Sequence, residues 1–224
     1  MLYRLSRLVL LALLRTFWRA SVEALENVPR TGPVILASNH LSFIDSVVIP
    51  LVVPRRVVFL AKAEYFTGAG LRGTFSRLMF TALGALPVDR DTQRAAQASL
   101  TAALEVLRDG EGFGIYPEGT RSRDGRLYRG RTGVGWLSVA SGAPVVPVGL
   151  VGTDRVQPVG ARLVRPFKRF TVHFGEPVRP QDFLGAPAAQ VRRAITDTVM
   201  ERIADLTGQP LAGHYNERST TSGI

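Results

Sequence analysis

The stretch PVILASNHLSFIDSVVIP, Pro33 to Pro50, decides how the chain is read. Val34 to Ala37 is a short apolar run of the kind that forms a strand. A polar segment, Ser38-Asn39-His40-Leu41-Ser42-Phe43-Ile44-Asp45, follows it, and apolar residues return from Val47. Strand, polar turn and helix in this order open a βα unit.

Working outward, short apolar runs continue to alternate with helical stretches. Strands are expected over Val34–Ala37, Val57–Ala61, Ala85–Val88, Gly114–Tyr116, Val145–Val151 and Phe170–Phe174. Thr92 to Arg108 is the clearest helix, with Asp91 or Thr92 to cap it and Gly110 to end it, and Ala188 to Leu206 is a second. The expected fold class is α/β: a single domain with a mostly parallel central sheet flanked by helices, plus an N-terminal amphipathic membrane-interfacial helix. The organisation reads as an amphipathic segment over 1–30, a catalytic domain over 31–210 and a disordered tail over 211–224, polar and aperiodic from Gly213.

A chain of 224 residues suits one sizeable domain. Its 46% hydrophobic and 21% charged residues indicate neither a disordered chain nor a polytopic membrane protein. The formal charge of +10 attracts polyanions, whether nucleic acid, anionic lipid or phosphorylated substrates. With no Cys, a disulfide framework, a thiol nucleophile and Cys-ligated metal sites are excluded.

The first twenty residues, MLYRLSRLVLLALLRTFWRA, contain an uninterrupted apolar run only from Leu8 to Leu14, short of the roughly 20 residues a spanning helix needs. On a helical wheel Arg4, Arg7, Arg15 and Arg19 share an arc of about 120°, with Leu5, Val9, Leu13 and Phe17 opposite. That suits a helix lying in a membrane interface. A helix packed on the domain's own core has the same moment. A signal peptide fits less well, because Arg15 and Arg19 fall where small residues and a cleavage site belong.

Chemistry in an open α/β sheet belongs just beyond the strand ends. On a regular helix His40 and Asp45 would lie about 140° apart, so His40 must sit in the turn before the helix. Ser42 is the expected N-cap, and Asp45 in the first turn can then reach back to the loop. A carboxylate beside an imidazole fixes its tautomer and raises its basicity, as a general base acting on an alcohol requires. A capping carboxylate near an unrelated loop histidine is the alternative reading. Gly84 to Arg90 delivers Arg90 to the rim, where its fork suits phosphate, although a solvated surface arginine looks the same. Tyr116-Pro117-Glu118-Gly119-Thr120-Arg121-Ser122 is the densest polar segment and leads into Arg123, Arg126, Arg129 and Arg131. Those arginines lack the interleaved aromatics of a single-strand platform and match no DNA-reading motif. His40, His173 and His214 lack neighbours at metal-ligand spacing, so no metal site is expected. His173 reads as an ordinary strand histidine. Gly68 to Phe80, apolar with Leu71, Phe75, Leu78, Met79 and Phe80, reads equally as a core helix or as the wall of an apolar groove.

Together these segments resemble the glycerolipid acyltransferase family that includes the 1-acylglycerol-3-phosphate acyltransferases. His40 and Asp45 match its H-x4-D motif, and Gly84 to Arg90 its second block. Tyr116 to Ser122 is similar to F-P-E-G-T-R-S with Tyr in place of Phe, and Val145 to Gly149 to the apolar V-P-V block. The agreement runs from Pro33 to Gly149. The resemblance implies that His40 takes the proton of the acceptor hydroxyl while Asp45 orients it, and that the alkoxide attacks an acyl thioester with no acyl-enzyme. The lack of a Cys and of a G-x-S-x-G elbow agrees.

By the same resemblance Glu118, Gly119, Thr120 and Arg121 bind the acceptor, Arg121 and Arg90 face its phosphate, and Lys62 falls where relatives carry a basic residue. The implied acceptor is 1-acyl-sn-glycerol-3-phosphate or another lyso-lipid, such as an amino-acid-containing one or a glycolipid, giving phosphatidic acid in the first case. The donor is acyl-CoA or acyl-carrier protein, and no cofactor is expected. The implied partner surface is an anionic membrane at the cytoplasmic face of the cell membrane, and no nucleic acid is expected. Tyr128-Arg129-Gly130-Arg131 departs from the family's Lys or Phe-Lys after the third block, which leaves the acceptor open.

Overall fold

The computed structural model describes residues 14, 16–62, 67–68, 70, 73–74, 85–88, 93–161, 163–183 and 185–217. Alternation of side chains across buried strands builds its centre. In β2 (Val34–Ser38), Val34 and Leu36 enter one core while Ile35 and Ala37 enter the other. The remaining strands are β1 (Ser21–Glu23), β3 (Val57–Lys62), β4 (Leu86–Val88), β5 (Gly112–Ile115), β6 (Val145–Val151) and β7 (Thr171–Phe174). They form one seven-stranded sheet in the order β1-β7-β6-β2-β5-β3-β4. All pairings are parallel except β6 with β7, so the sheet is mostly parallel, as expected from the βα alternation.

Helices α1 (Asp45–Val52), α2 (Gln93–Arg108), α3 (Gly133–Ser141), α4 (Thr153–Val156) and α5 (Ala188–Thr207) cover it. One core, between the sheet and α2, α3 and α5, gathers Phe113, Leu107, Leu137, Ile195 and Ile203. The other, beneath α1, gathers Val48, Ile49, Phe59, Leu150, Phe170 and Phe174. Apolar area buried on both faces of one sheet is the dominant stabilising term, worth about 25 cal/mol per Å² removed from water.

Three features differ from the sequence expectation. The edge strand β1 lies beside β7 and brings Glu23 within 3.0 Å of His173. Helix α3 forms although Gly133 and Gly135 weaken its propensity; a Cβ at Gly135 would lie 2.2 Å from the Arg192 carbonyl, so glycine lets α5 approach it closely. The stretch expected to be a disordered tail is ordered as far as 217. Leu127 N–H donates to the Pro210 carbonyl, Ala212 N–H to Leu127 and Arg129 N–H to His214, tying this stretch to the loop after β5. Residues 218–224 lie outside the described residues. So do residues 1–13 and 15 of the N-terminal amphipathic segment, of which 14 and 16–18 are helical. Among the described residues no helix is long and apolar enough to cross a membrane.

Candidate active site

Strand order determines what meets at the rim. β2, β5, β3 and β4 are neighbours and parallel, so the segments that follow them leave the sheet at the same edge. His40 follows β2, and Tyr116 to Ser122 follow β5 alongside it. Lys62 ends β3, its main chain paired with Val88 of β4; its side chain and all of Arg90 lie outside the described residues.

His40 and Asp45 do meet. His40 Nδ1 lies 2.9 Å from Asp45 Oδ2, and the same oxygen accepts the main-chain N–H groups of Leu41 and Ser42, each at 2.8 Å. Asp45 is 0% exposed. An acceptor already taking two N–H groups holds the imidazole with its proton on Nδ1 and leaves Nε2 as the free base. The capping detail differs from expectation. Helix α1 begins at Asp45 with Ile44 at the N-cap, and the Ser42 hydroxyl donates instead to the Gln157 carbonyl at 2.7 Å. The buried hydroxyl has a better acceptor across the loop, and the carboxylate serves the turn alone.

The segment after β5 grips His40 from the other side. Glu118 Oε1 accepts His40 N–H at 3.1 Å, while the His40 carbonyl accepts Ser122 N–H at 2.8 Å. Glu118 Oε2 accepts Tyr128 N–H at 2.9 Å. Glu118 therefore does not line an acceptor site as the resemblance implies. At 1% exposure, with both oxygens engaged by main chain, it braces the His40 turn against the basic loop. Burial pushes its carboxyl up to about 7, opposed by the two main-chain donors and assisted by the charges of Asp45 and Asp124.

Gly119, with φ +80, turns the chain at the mouth of a cavity, its N–H donating to the Tyr116 carbonyl. A Cβ there would lie 3.2 Å from Arg131 Nε, so glycine leaves room for that guanidinium. Thr120 and Arg121 are half-buried in the same turn, and the Arg121 carbonyl accepts from Asn216. Arg131, at the cavity mouth, lies over the Tyr215 ring, as does Arg129. Asp124 is held well below the usual carboxylate range by the Arg126 side chain, with Tyr128 and Ser122 also donating to it.

The cavity encloses about 330 Å³, near the lower end of the roughly 300–1,000 Å³ typical of small-ligand sites. Its walls are mainly apolar, from Phe59, Leu60, Leu100, Phe113 and Tyr116, and His40 stands with Arg131 among the few polar groups. Gly68 to Phe80, considered as a groove, lies largely outside the described residues.

Two contributors escaped the sequence reading. Tyr116 stacks on His40, ring centroids 3.8 Å apart, and its hydroxyl meets Ser46 Oγ at 2.9 Å. Asn39, fully buried, accepts Leu150 N–H at 2.8 Å and donates to the Leu150 carbonyl at 2.9 Å. It thereby pins the turn before His40 to β6. A polar triplet directly after an apolar strand run, Ser38-Asn39-His40, was the available signal for Asn39.

The acyltransferase family model matches residues 19–151, and the chain belongs to that family. It is 32% identical over 146 residues to a chloroplastic 1-acyl-sn-glycerol-3-phosphate acyltransferase of Arabidopsis thaliana, covering 65% of this chain and 39% of that protein. With the 1-acyl-sn-glycerol-3-phosphate acyltransferase of Bacillus subtilis the identity is 28% over 183 residues, covering 81% and 84%. The chain spans about two fifths of the length of the Arabidopsis and Brassica napus relatives it matches. The crystal structure of the 1-acyl-sn-glycerophosphate acyltransferase PlsC from Thermotoga maritima superposes with a TM-score of 0.64 and 28% identity, over 84% of this chain and 71% of that one.

Proposed function

We propose that the chain transfers a fatty acyl group from a thioester, acyl-CoA or acyl-carrier protein, to the free hydroxyl of 1-acyl-sn-glycerol-3-phosphate, giving phosphatidic acid. The observation that carries this reading is the His40–Asp45 pair at the mouth of the apolar cavity. His40 Nε2 takes the hydroxyl proton as the alkoxide oxygen attacks the thioester carbonyl. The tetrahedral intermediate then expels the thiolate, which takes the proton back from the imidazolium. Asp45 stabilises that imidazolium and keeps its tautomer. No side chain is acylated at any point.

The acyl chain occupies the cavity beneath Tyr116, and the guanidinium groups of Arg131 and Arg121 supply charge for the acceptor phosphate, with Arg90 and Lys62 contributing from the neighbouring strand ends. The names of the relatives support the acceptor class. The enzyme works at an anionic membrane surface on the cytoplasmic side, where the donors are found, with its N-terminal amphipathic segment in the interface.

The test is thioester consumption by purified protein with long-chain acyl-CoA and 1-acyl-sn-glycerol-3-phosphate in vesicles. Wild type is expected to form the diacyl product, His40→Ala to lose it, and a phosphate-free acceptor to react poorly. Turnover that persists in folded His40→Ala sinks the mechanism. Equal turnover of the phosphate-free acceptor sinks the acceptor assignment.

A further inference from the structure

The loop between α4 and β7 plays no part in the chemistry above, yet its composition is unlike the rest of the surface. From Arg155 to Gly175 the chain carries four Arg and one Lys and no Asp or Glu. Within it Leu163 is 81% exposed and Phe167 74%, with Val164 partly exposed beside them. Apolar side chains clustered this way on a monomer surface mark a contact site.

The cluster is fixed in place. Phe167 N–H donates to the Phe17 carbonyl at 2.9 Å, and Trp18 Nε1 donates to the Arg165 carbonyl at 2.8 Å. Arg165 N–H reaches the Val156 carbonyl at 2.7 Å. The Phe17 ring lies 6.2 Å from Phe167 and 6.0 Å from Trp18. Phe167 adopts φ +59, a conformation costly for a bulky residue and kept only where surrounding bonds determine it. The loop is thus a rigid platform that displays Leu163 and Phe167.

Charge identifies the occupant. Arg165 and Lys168, with Arg155 and Arg123, line a cleft of about 450 Å³ whose one acidic member is Asp154. Long basic side chains beside exposed aliphatic and aromatic ones suit a lipid headgroup layer, where stems lie in the apolar boundary and charged ends meet phosphates. Leu41 and Ser122 line the same cleft, and Ser42 is bonded to Gln157 at the start of the loop, so the platform adjoins the catalytic turn.

We propose that the segment 163–169, clipped to Phe17 and Trp18, is a membrane-contacting platform that lays Leu163 and Phe167 into an anionic phospholipid surface beside the catalytic rim. Its apolar residues come from a segment other than the N-terminal helix, whose end it clips at Phe17 and Trp18, and it stands without the acyl-transfer reading, because the contact requires no substrate.

The absence of native Cys allows a reporter to be placed at one position of the full chain. An environment-sensitive dye on Leu163→Cys is compared with the same dye on Val139→Cys, an exposed position in α3 on the other layer. With vesicles of phosphatidylglycerol and phosphatidylcholine, the dye at 163 is expected to brighten several-fold and to be quenched by brominated lipid, while the dye at 139 stays unchanged. Arg165→Glu with Lys168→Glu should weaken binding to these vesicles about tenfold or more, less so at high salt. The proposal is overturned if the full chain does not bind the vesicles, or binds them with the dye at 163 still in water. It is also overturned if that dye responds to protein concentration alone, in step with a dimer mass, which would make the platform an interface between two copies.

Discussion

The His40 and Tyr116 rings lie face to face, 3.8 Å between centroids and 9° from parallel, so one strand-end turn supplies the wall against which the other's base is held. Tyr116→Phe keeps that wall and loses the hydroxyl bond to Ser46. Its stability should fall by about 1 kcal/mol, with turnover within a few-fold of wild type. Tyr116→Ala leaves the imidazole free to tilt, and kcat should fall up to about a hundredfold. Steady-state kinetics of the two variants separate the ring's effect from the hydroxyl's.

Asp45→Asn is nearly isosteric, and its amide oxygen in the place of Oδ2 still accepts from His40, Leu41 and Ser42. The amide lacks the charge that stabilises the imidazolium, and its NH2 stands where Asp45 Oδ1 is buried without a partner. Turnover should drop by roughly 10² to 10⁴ with little change in KM. Stability should fall by about 1–3 kcal/mol, read by urea unfolding.

Glu118 gives the fold a pH signature. Its carboxyl titrates at about 7 in the folded protein against an ordinary value of 4.5, so the folded state holds the proton more tightly than the unfolded state. The stabilisation from that proton is fully present below pH 4.5 and is lost as pH rises through 7, an effect of about 3 kcal/mol across the window. Glu118→Gln should remove that fall from a pH series of urea unfolding curves. A series with the same slope in both proteins would refute the assignment.

Gly114 in β5 sits under Phe59: a Cβ there would lie 2.0 Å from the Phe59 ring. Gly114→Ala should cost about 1–3 kcal/mol, because the ring, boxed in by Tyr116 at 5.5 Å, cannot retreat without strain. Phe59→Leu in the same chain should recover part of that loss, a coupling a double-mutant cycle of unfolding free energies would register.

The sheet was legible because buried strands leave uninterrupted apolar runs; Val145–Val151 has the same limits in sequence and structure, and α2 and α5 differ by a residue at one end. The edge strand β1 was not, since three residues with one half-buried side chain have no period to read. Helix α3 hid behind glycines that tertiary contact favours and propensity does not. The spacing of His40 and Asp45 was enough to predict a turn-and-helix meeting. The direction of Glu118 was illegible, because adjacency within a motif does not say whether a side chain faces the cavity or the main chain of the next strand's turn.

The main chain of His40 is grasped at its N–H by Glu118 and at its carbonyl by Ser122, partners some eighty positions away on a neighbouring strand. The base is therefore a coincidence detector: it reaches its working position only when β2 and β5 lie in register. Partial opening of that seam silences turnover while most of the helical signal survives. Heat or mild denaturant should thus extinguish activity ahead of the global transition.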